Sequence, residues 1–211
     1  MYDGIDRLLV GNKEFAQNRE EYKSLADGQD PKYIVIVCSD SRCDPETICN
    51  QKPGVIFSIR IAGALLGDES IASIQFALEA FKNVESILIL GHTKCGAVTA
   101  AQKRLNDIIQ NGGKSDRIDG ALGRMVDRIC KNISQDSNRN MIDLDNAILD
   151  NTIEQCRVLT RDPIVTELLE KRGIPVKYGI YDIKTLKIGE IKEFNYMQNK
   201  TTEQAKRKNR A

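Results

Sequence analysis

Residues 33–42 read Tyr33-Ile34-Val35-Ile36-Val37-Cys38-Ser39-Asp40-Ser41-Arg42, an unbroken apolar run that opens into a polar, reactive stretch. The run is β-branched and continuous, not alternating. That is the pattern of a strand buried on both faces, as in a parallel sheet. Two segments repeat it: Val55–Ile61 (VIFSIRI) and Ser86–Leu90 (SILIL), the latter stopped by Gly91. Helical spacing fills the gaps. Ile71, Ile74, Leu78 and Phe81 mark a helix over Asp68–Lys82, and further helices are predicted over Val98–Gln110, Leu122–Cys130 and Asn140–Leu159. Pro163 suits the first turn of a helix over Ile164–Lys171, which Gly173 closes. Val176–Tyr181 and Lys187–Ile191 read as late strands. Strands alternating with helices predict an α/β fold with a mostly parallel central β-sheet flanked by helices.

Outward from this centre, Asp3–Arg19 is an amphipathic helix with Ile5, Leu8, Leu9 and Phe15 roughly on one face, and Gly28–Pro31 breaks the chain after it. Residues 114–140 are polar and carry little pattern beyond the helix at 122–130. Asn199–Ala211 has no apolar residue except alanine and is locally basic at Lys206, Arg207, Lys208 and Arg210, so it reads as a solvated, disordered tail. The expected organisation is one domain over residues 1–198, with a helical arm at 3–19 and the tail at 199–211.

Composition removes several function classes. The 211 residues are 41% apolar and 29% charged, ordinary for a soluble globular chain. A net charge of +1 gives no electrostatic case for binding nucleic acid or a membrane surface. No stretch approaches the ~18 apolar residues of a membrane span. Asp3, Asp6, Arg7 and Lys13 interrupt the first 15 residues, which do not read as a secretory signal. A cytoplasmic location follows as the expectation, with the six cysteines reduced and available as metal ligands or core filler.

In parallel α/β sheets, sites form beyond the carboxyl ends of the strands. The first strand here ends in Cys38-Ser39-Asp40-Ser41-Arg42, and the third in Gly91-His92-Thr93-Lys94-Cys95-Gly96. His92 is the single histidine of the chain. Two thiolates and an imidazole suit Zn²⁺, and three protein ligands leave a fourth position for water or substrate. A closed structural site would need one more Cys or His. Cys43 and Cys49 lie nearby, but neither makes a short Cys-x-x-Cys hook with Cys38, and the same missing spacings disfavour an iron–sulfur cluster. Cys43, Cys49, Cys130 and Cys156 read as small core residues. Asp40 and Arg42, two apart, can pair; the guanidinium would keep the carboxylate ionised. Such an Asp beside zinc either coordinates the metal or accepts the hydrogen of a metal-bound water. From the residues alone, a plain surface ion pair stays open too.

Together these segments resemble the β-class carbonic anhydrases. The family's Cys-x-Asp-x-Arg signature appears as Cys38–Arg42, and its His-x-x-Cys signature as His92–Cys95 within GHTKCGAV. The similarity continues through Asp44-Pro45-Glu46, Arg60 with Ala62-Gly63, SIASIQFALEAF, NTIEQCRVLTRDPIV and GIYDI, over roughly residues 4 to 192. The resemblance implies Zn²⁺ on Cys38, His92 and Cys95, an Asp40–Arg42 catalytic dyad, and reversible hydration of carbon dioxide to bicarbonate by attack of zinc-bound hydroxide. It also implies a homodimer or a larger assembly of dimers, with the Asp3–Arg19 arm packed on a partner.

Two departures matter. Many members have polar residues where this chain has Ile61 and Ala64, in Arg60-Ile61-Ala62-Gly63-Ala64, which puts the hydrogen bonding around the pocket in question. The chain has no tryptophan, so the bicarbonate regulation that one branch builds on a Trp–Arg–Tyr set cannot operate. That favours water over Asp40 as the fourth ligand. Two thiolates also cancel the ion's formal charge, so its water should be less acidic than the ~7 of a three-histidine site, with hydration rising through mildly alkaline pH. With His92 committed to metal, no histidine is left to shuttle protons. The alternatives are a carbonyl sulfide or carbon disulfide hydrolase on the same site, and a zinc-stabilised binding module without catalysis.

Overall fold

The computed structural model of the protein describes residues 4–113, 118–133 and 141–197. The expected tail at 199–211 lies outside the described residues, as do Asp3 and Asn140, the predicted first residues of two helices. The chain runs α1 (Gly4–Asn18), β1 (Tyr33–Val37), α2 (Pro45–Ile48), β2 (Ile56–Arg60), α3 (Asp68–Ala80), β3 (Ser86–His92), α4 (Gly96–Gln110), α5 (Gly120–Asn132), α6 (Leu144–Arg161), α7 (Pro163–Arg172), β4 (Val176–Asp182), β5 (Lys187–Ile188) and β6 (Lys192–Glu193).

The sheet has the order β2-β1-β3-β4-β5, with β6 also pairing β4. The four longer strands are mutually parallel, and β5 and β6 add antiparallel. β1 is therefore interior, which explains why its residues Ile34 to Val37 are all buried and why the sequence there does not alternate. One face of the sheet packs Ile34, Ile36, Ile87 and Ile89 against Ile74 and Leu78 of α3 and Val165 and Leu169 of α7. A second core holds Val98 and Leu105 of α4, Val126 and Ile129 of α5, and Ile148 of α6. β1 and β3 thus lie between the two layers, whereas β2, expected to be buried on both faces, is the edge strand and leaves Ser58 and Arg60 exposed.

Helix boundaries follow their caps. The Asp143 carboxylate accepts from Asn146 N at 3.0 Å, so α6 starts at Leu144, later than the expected 140. The Asp162 carboxylate accepts from Val165 N at 2.9 Å, Pro163 takes the first position of α7, and Gly173, left-handed at φ 65°, ends it. The strand expected over 187–191 divides. Lys187–Ile188 pairs Tyr181 and Asp182, and the chain then turns to pair Lys192–Glu193 with Lys177 and Tyr178. Gly189 N donates to Ile180 O at 2.9 Å at the point of division. The 3-10 turn at Glu20–Asp27 and the short α2 were not expected from periodicity.

No residue of α1 is buried, and Ile5, Leu8, Leu9 and Phe15 all face outward. Among the described residues no helix is long and apolar enough to cross a membrane.

Candidate metal centre

Parallel pairing places the carboxyl ends of β1 and β3 side by side, with Val37 opposite Leu90. Cys38 follows β1 directly, and His92 is the last residue of β3. The chain then reverses through Lys94, which adopts a left-handed φ of 57°, and delivers Cys95 as the N-cap of α4. The sulfurs of Cys38 and Cys95 and a ring nitrogen of His92 all lie within 4.8 Å of one another. The three residues are 7%, 2% and 1% exposed in that order. They form the one His/Cys/Asp/Glu group among the described residues that could hold a metal ion.

The histidine fits that role by its hydrogen bonding. Its Nδ1 stands 3.0 Å from the Thr93 carbonyl oxygen, which can only accept, so Nδ1 carries the proton. In the neutral ring Nε2 is then a bare lone pair, and it is buried with no hydrogen-bond partner. A buried unpaired acceptor costs about 1–3 kcal/mol, and a soft dication between the sulfurs would remove that cost. Outer contacts prepare the sulfurs as well. Gly63 N donates to Cys38 Sγ at 3.3 Å, and the Cys95 thiol donates to the same sulfur at 4.0 Å. These contacts, with His92 beside them, hold the Cys38 thiol down at about 4 against the opposing effect of burial. Cys95 is pushed up by the proton it shares with Cys38. Burial disfavours a charged His92, but the neighbouring Cys38 and Cys43 sulfurs outweigh it and push the ring up to about 10. Two thiols and an imidazole converging on one buried point are the donor set of Zn²⁺, and a metal entering it would displace their protons.

Asp40 stands outside the three-donor group. Its carboxylate is held by Arg42 through a two-pronged contact: Nε to Oδ1 at 2.9 Å and a terminal nitrogen to Oδ2 at 2.7 Å. Arg42 N also donates to Oδ1 at 3.0 Å. The guanidinium holds the carboxyl well below the usual carboxylate range. Of the remaining cysteines, Cys43 and Cys156 are fully buried, whereas Cys49 and Cys130 are only half-buried and fill the core less than expected.

A cavity of about 10 Å³ adjoins the centre, lined by Cys38, His92 and Cys95 with Ala64, Val98 and Ile148 among its apolar walls. Ala64 is 3% exposed and takes a left-handed φ of 54°, next to Gly63 at 68°. The backbone beside Ile61 and Ala64 is held by polar side chains of α6, a stretch that the resemblance included as NTIEQCRV without giving Asn151 or Gln155 a role. Asn151 Nδ2 donates to Gly63 O at 2.8 Å, and Gln155 Oε1 accepts from Leu66 N at 2.9 Å. Asn132 Nδ2 in turn donates to Asn151 Oδ1 at 2.9 Å. The available signal was spacing: polar residues at 151, 152 and 155 share the face of α6 that also carries Ile148 and Leu159. Gly91 lets that face approach, since a Cβ there would sit 2.2 Å from Thr152 Oγ1.

Known proteins agree with this geometry. The family described as carbonic anhydrase matches residues 33–190. The chain is 35% identical over 112 residues to carbonic anhydrase 2 of Mycobacterium tuberculosis, an alignment covering 53% of this chain and 54% of that protein. It thus spans about half the length of that relative. It is 31% identical over 198 residues to a carbonic anhydrase of Pseudomonas aeruginosa, covering 89% and 86% of the two chains. Among solved structures, a β-carbonic anhydrase of Aspergillus fumigatus superimposes with a TM-score of 0.73 at 28% identity, covering 92% of each chain. A tetrameric β-carbonic anhydrase of Sordaria macrospora does so at 0.67 and 25% identity, covering 90% of this chain and 93% of that one. By fold, motif order and sequence, the chain belongs to the β-carbonic anhydrase family.

Proposed function

We propose that this chain is a zinc-dependent carbonate dehydratase, interconverting carbon dioxide with bicarbonate and a proton. The observation that carries the reading is the buried Cys38–His92–Cys95 group with its unpartnered Nε2, next to an ionised Asp40. Cys38, His92 and Cys95 would hold Zn²⁺, which supplies a Lewis acid that makes water nucleophilic near neutral pH. Asp40 accepts and does not donate across the working range. Its Oδ1 already receives two donors from Arg42 and its Oδ2 only one, so Oδ2 keeps the freer lone pair for the hydrogen of the attacking water. Arg42 fixes the carboxylate plane and so sets the direction of attack. The cavity walled by Ala64, Val98 and Ile148, at about 10 Å³, is too small to hold the substrate, so carbon dioxide must approach the centre from another side. With no second histidine in the chain, the released proton leaves through solvent, buffer, a carboxylate or a tyrosine.

The exposed apolar face of α1 supports a homo-oligomeric enzyme, and its natural cover is a second copy. Residues 1–198 form its single domain and the cytoplasm is its compartment in this proposal. A carbonyl sulfide or carbon disulfide hydrolase is the second reading, favoured by the apolar Ile61 and Ala64 beside the site. Zinc analysis with stopped-flow hydration of carbon dioxide tests the proposal, run beside a carbonyl sulfide assay. Asp40→Ala should retain zinc and lose most hydration. Metal-free protein, or zinc-loaded protein inert towards carbon dioxide, would refute the proposal. Turnover of carbonyl sulfide alone would favour the second reading.

A further inference from the structure

Arg60 is the last residue of β2 and lies opposite Val37 in the register with β1. Its guanidinium therefore reaches across the loop that leaves β1. One terminal nitrogen donates to the Asp40 carbonyl oxygen at 2.9 Å, and the other to Asp44 Oδ1 at 3.1 Å. The other Asp44 oxygen is occupied at the start of α2, accepting from Thr47 N at 3.0 Å and Thr47 Oγ1 at 2.6 Å. The Asp40 carbonyl also receives Cys43 N at 2.9 Å. One guanidinium thus ties the backbone of Asp40 to a capped helix across residues 40–44.

We infer that Arg60 is a positioning residue of the reaction proposed above, acting through Asp40. Arg42 orients the carboxylate from the side chain, while Arg60 fixes the backbone from which that carboxylate extends. The Arg60–Asp44 pair contributes little to the fold itself, because the side chains are 32% and 40% exposed and pairs of this kind are weak. Misplacement of Asp40 costs far more in rate than in stability. The two prongs require arginine; lysine supplies one point charge and cannot hold both acceptors in the same fork.

The test uses the zinc-loaded full chain. Arg60→Gln should lower kcat/KM by about 10–100-fold with the zinc content unchanged, and Arg60→Lys should restore only part of it. In an Asp40→Ala background the same Arg60→Gln change should have no further effect. Equal losses in both backgrounds, or full activity in Arg60→Gln, would overturn the inference. A second readout needs no turnover: amide exchange at Arg42 and Cys43 should quicken in Arg60→Gln, and unchanged exchange there likewise overturns it. Wild-type protein without hydration activity would instead defeat the proposed function, while the exchange measurement still decides whether Arg60 holds the loop.

Discussion

Asn151→Ala is the sharpest probe of how α6 supports the candidate metal centre. Asn151 is 2% exposed and donates to Gly63 O at 2.8 Å. Gly63 N in turn donates to Cys38 Sγ at 3.3 Å. Truncation strips the buried Gly63 carbonyl of that donor, at about 1–3 kcal/mol. It also strands Asn132 Nδ2, which is only part-buried and can turn to water, adding about 1 kcal/mol. Gln155 Nε2 loses the Asn151 side chain at 3.3 Å but keeps Asn151 O at 3.2 Å, so it adds little. The sum is about 3 kcal/mol, or about 6–12 °C in Tm for a chain of this length. Urea unfolding should show the loss in midpoint with the slope unchanged. Competition with a chromophoric chelator should show zinc affinity down about 10–100-fold, as the contact behind Cys38 slackens. Asn151→Asp should be at least as damaging, since both carboxylate oxygens are acceptors and one would face the Gly63 carbonyl. A midpoint within experimental error of wild type, together with zinc affinity within twofold, would refute the account of the 62–66 loop as held from α6.

Gly91→Ala should destabilise by about 1–3 kcal/mol, because its Cβ would stand 2.2 Å from Thr152 Oγ1 and 2.8 Å from Ile180 Cδ1. Adding Thr152→Ala should recover part of that loss in urea unfolding, and no recovery would show that the strain lies elsewhere. Burial pushes the fully buried Cys156 thiol up to about 12 from its ordinary 9.0. The unfolded chain therefore sheds this proton first, and the stability it confers is intact below pH 9 and declines by about 1.4 kcal/mol per pH unit between the two values. Cys156→Ala should flatten the fall above pH 9, and an unaltered slope would exclude this thiol as its cause. Chelation of zinc should lower stability, and Tm with it, by an amount that grows with the free zinc removed, about 4 kcal/mol at a thousand times Kd. Cys38→Ser should abolish that zinc dependence, and a Tm indifferent to zinc in the wild type would count against the metal centre.

The strands, the α/β class and the ligand candidates were readable because each leaves a local mark. A strand interior to a parallel sheet must be apolar on both faces, as Ile34–Val37 are, and a metal-binding turn must keep His92 and Cys95 within one reversal of the chain. Short-range pattern also placed Pro163 and Gly173 at the ends of α7. What left no local mark was what depends on neighbours distant in sequence. Spacing let Asp40 and Arg42 pair, but the two-pronged form of their contact and its place outside the sulfur–imidazole group came only with the fold. Asn151 and Gln155 look like ordinary polar helix residues until α6 is packed against a loop nearly ninety positions earlier. The same holds for Arg60, whose partners lie 16 and 20 residues away. Periodicity reports which face of an element is buried. Hydrogen bonds between elements depend on how those faces are brought together, so they exist only once the whole chain has packed.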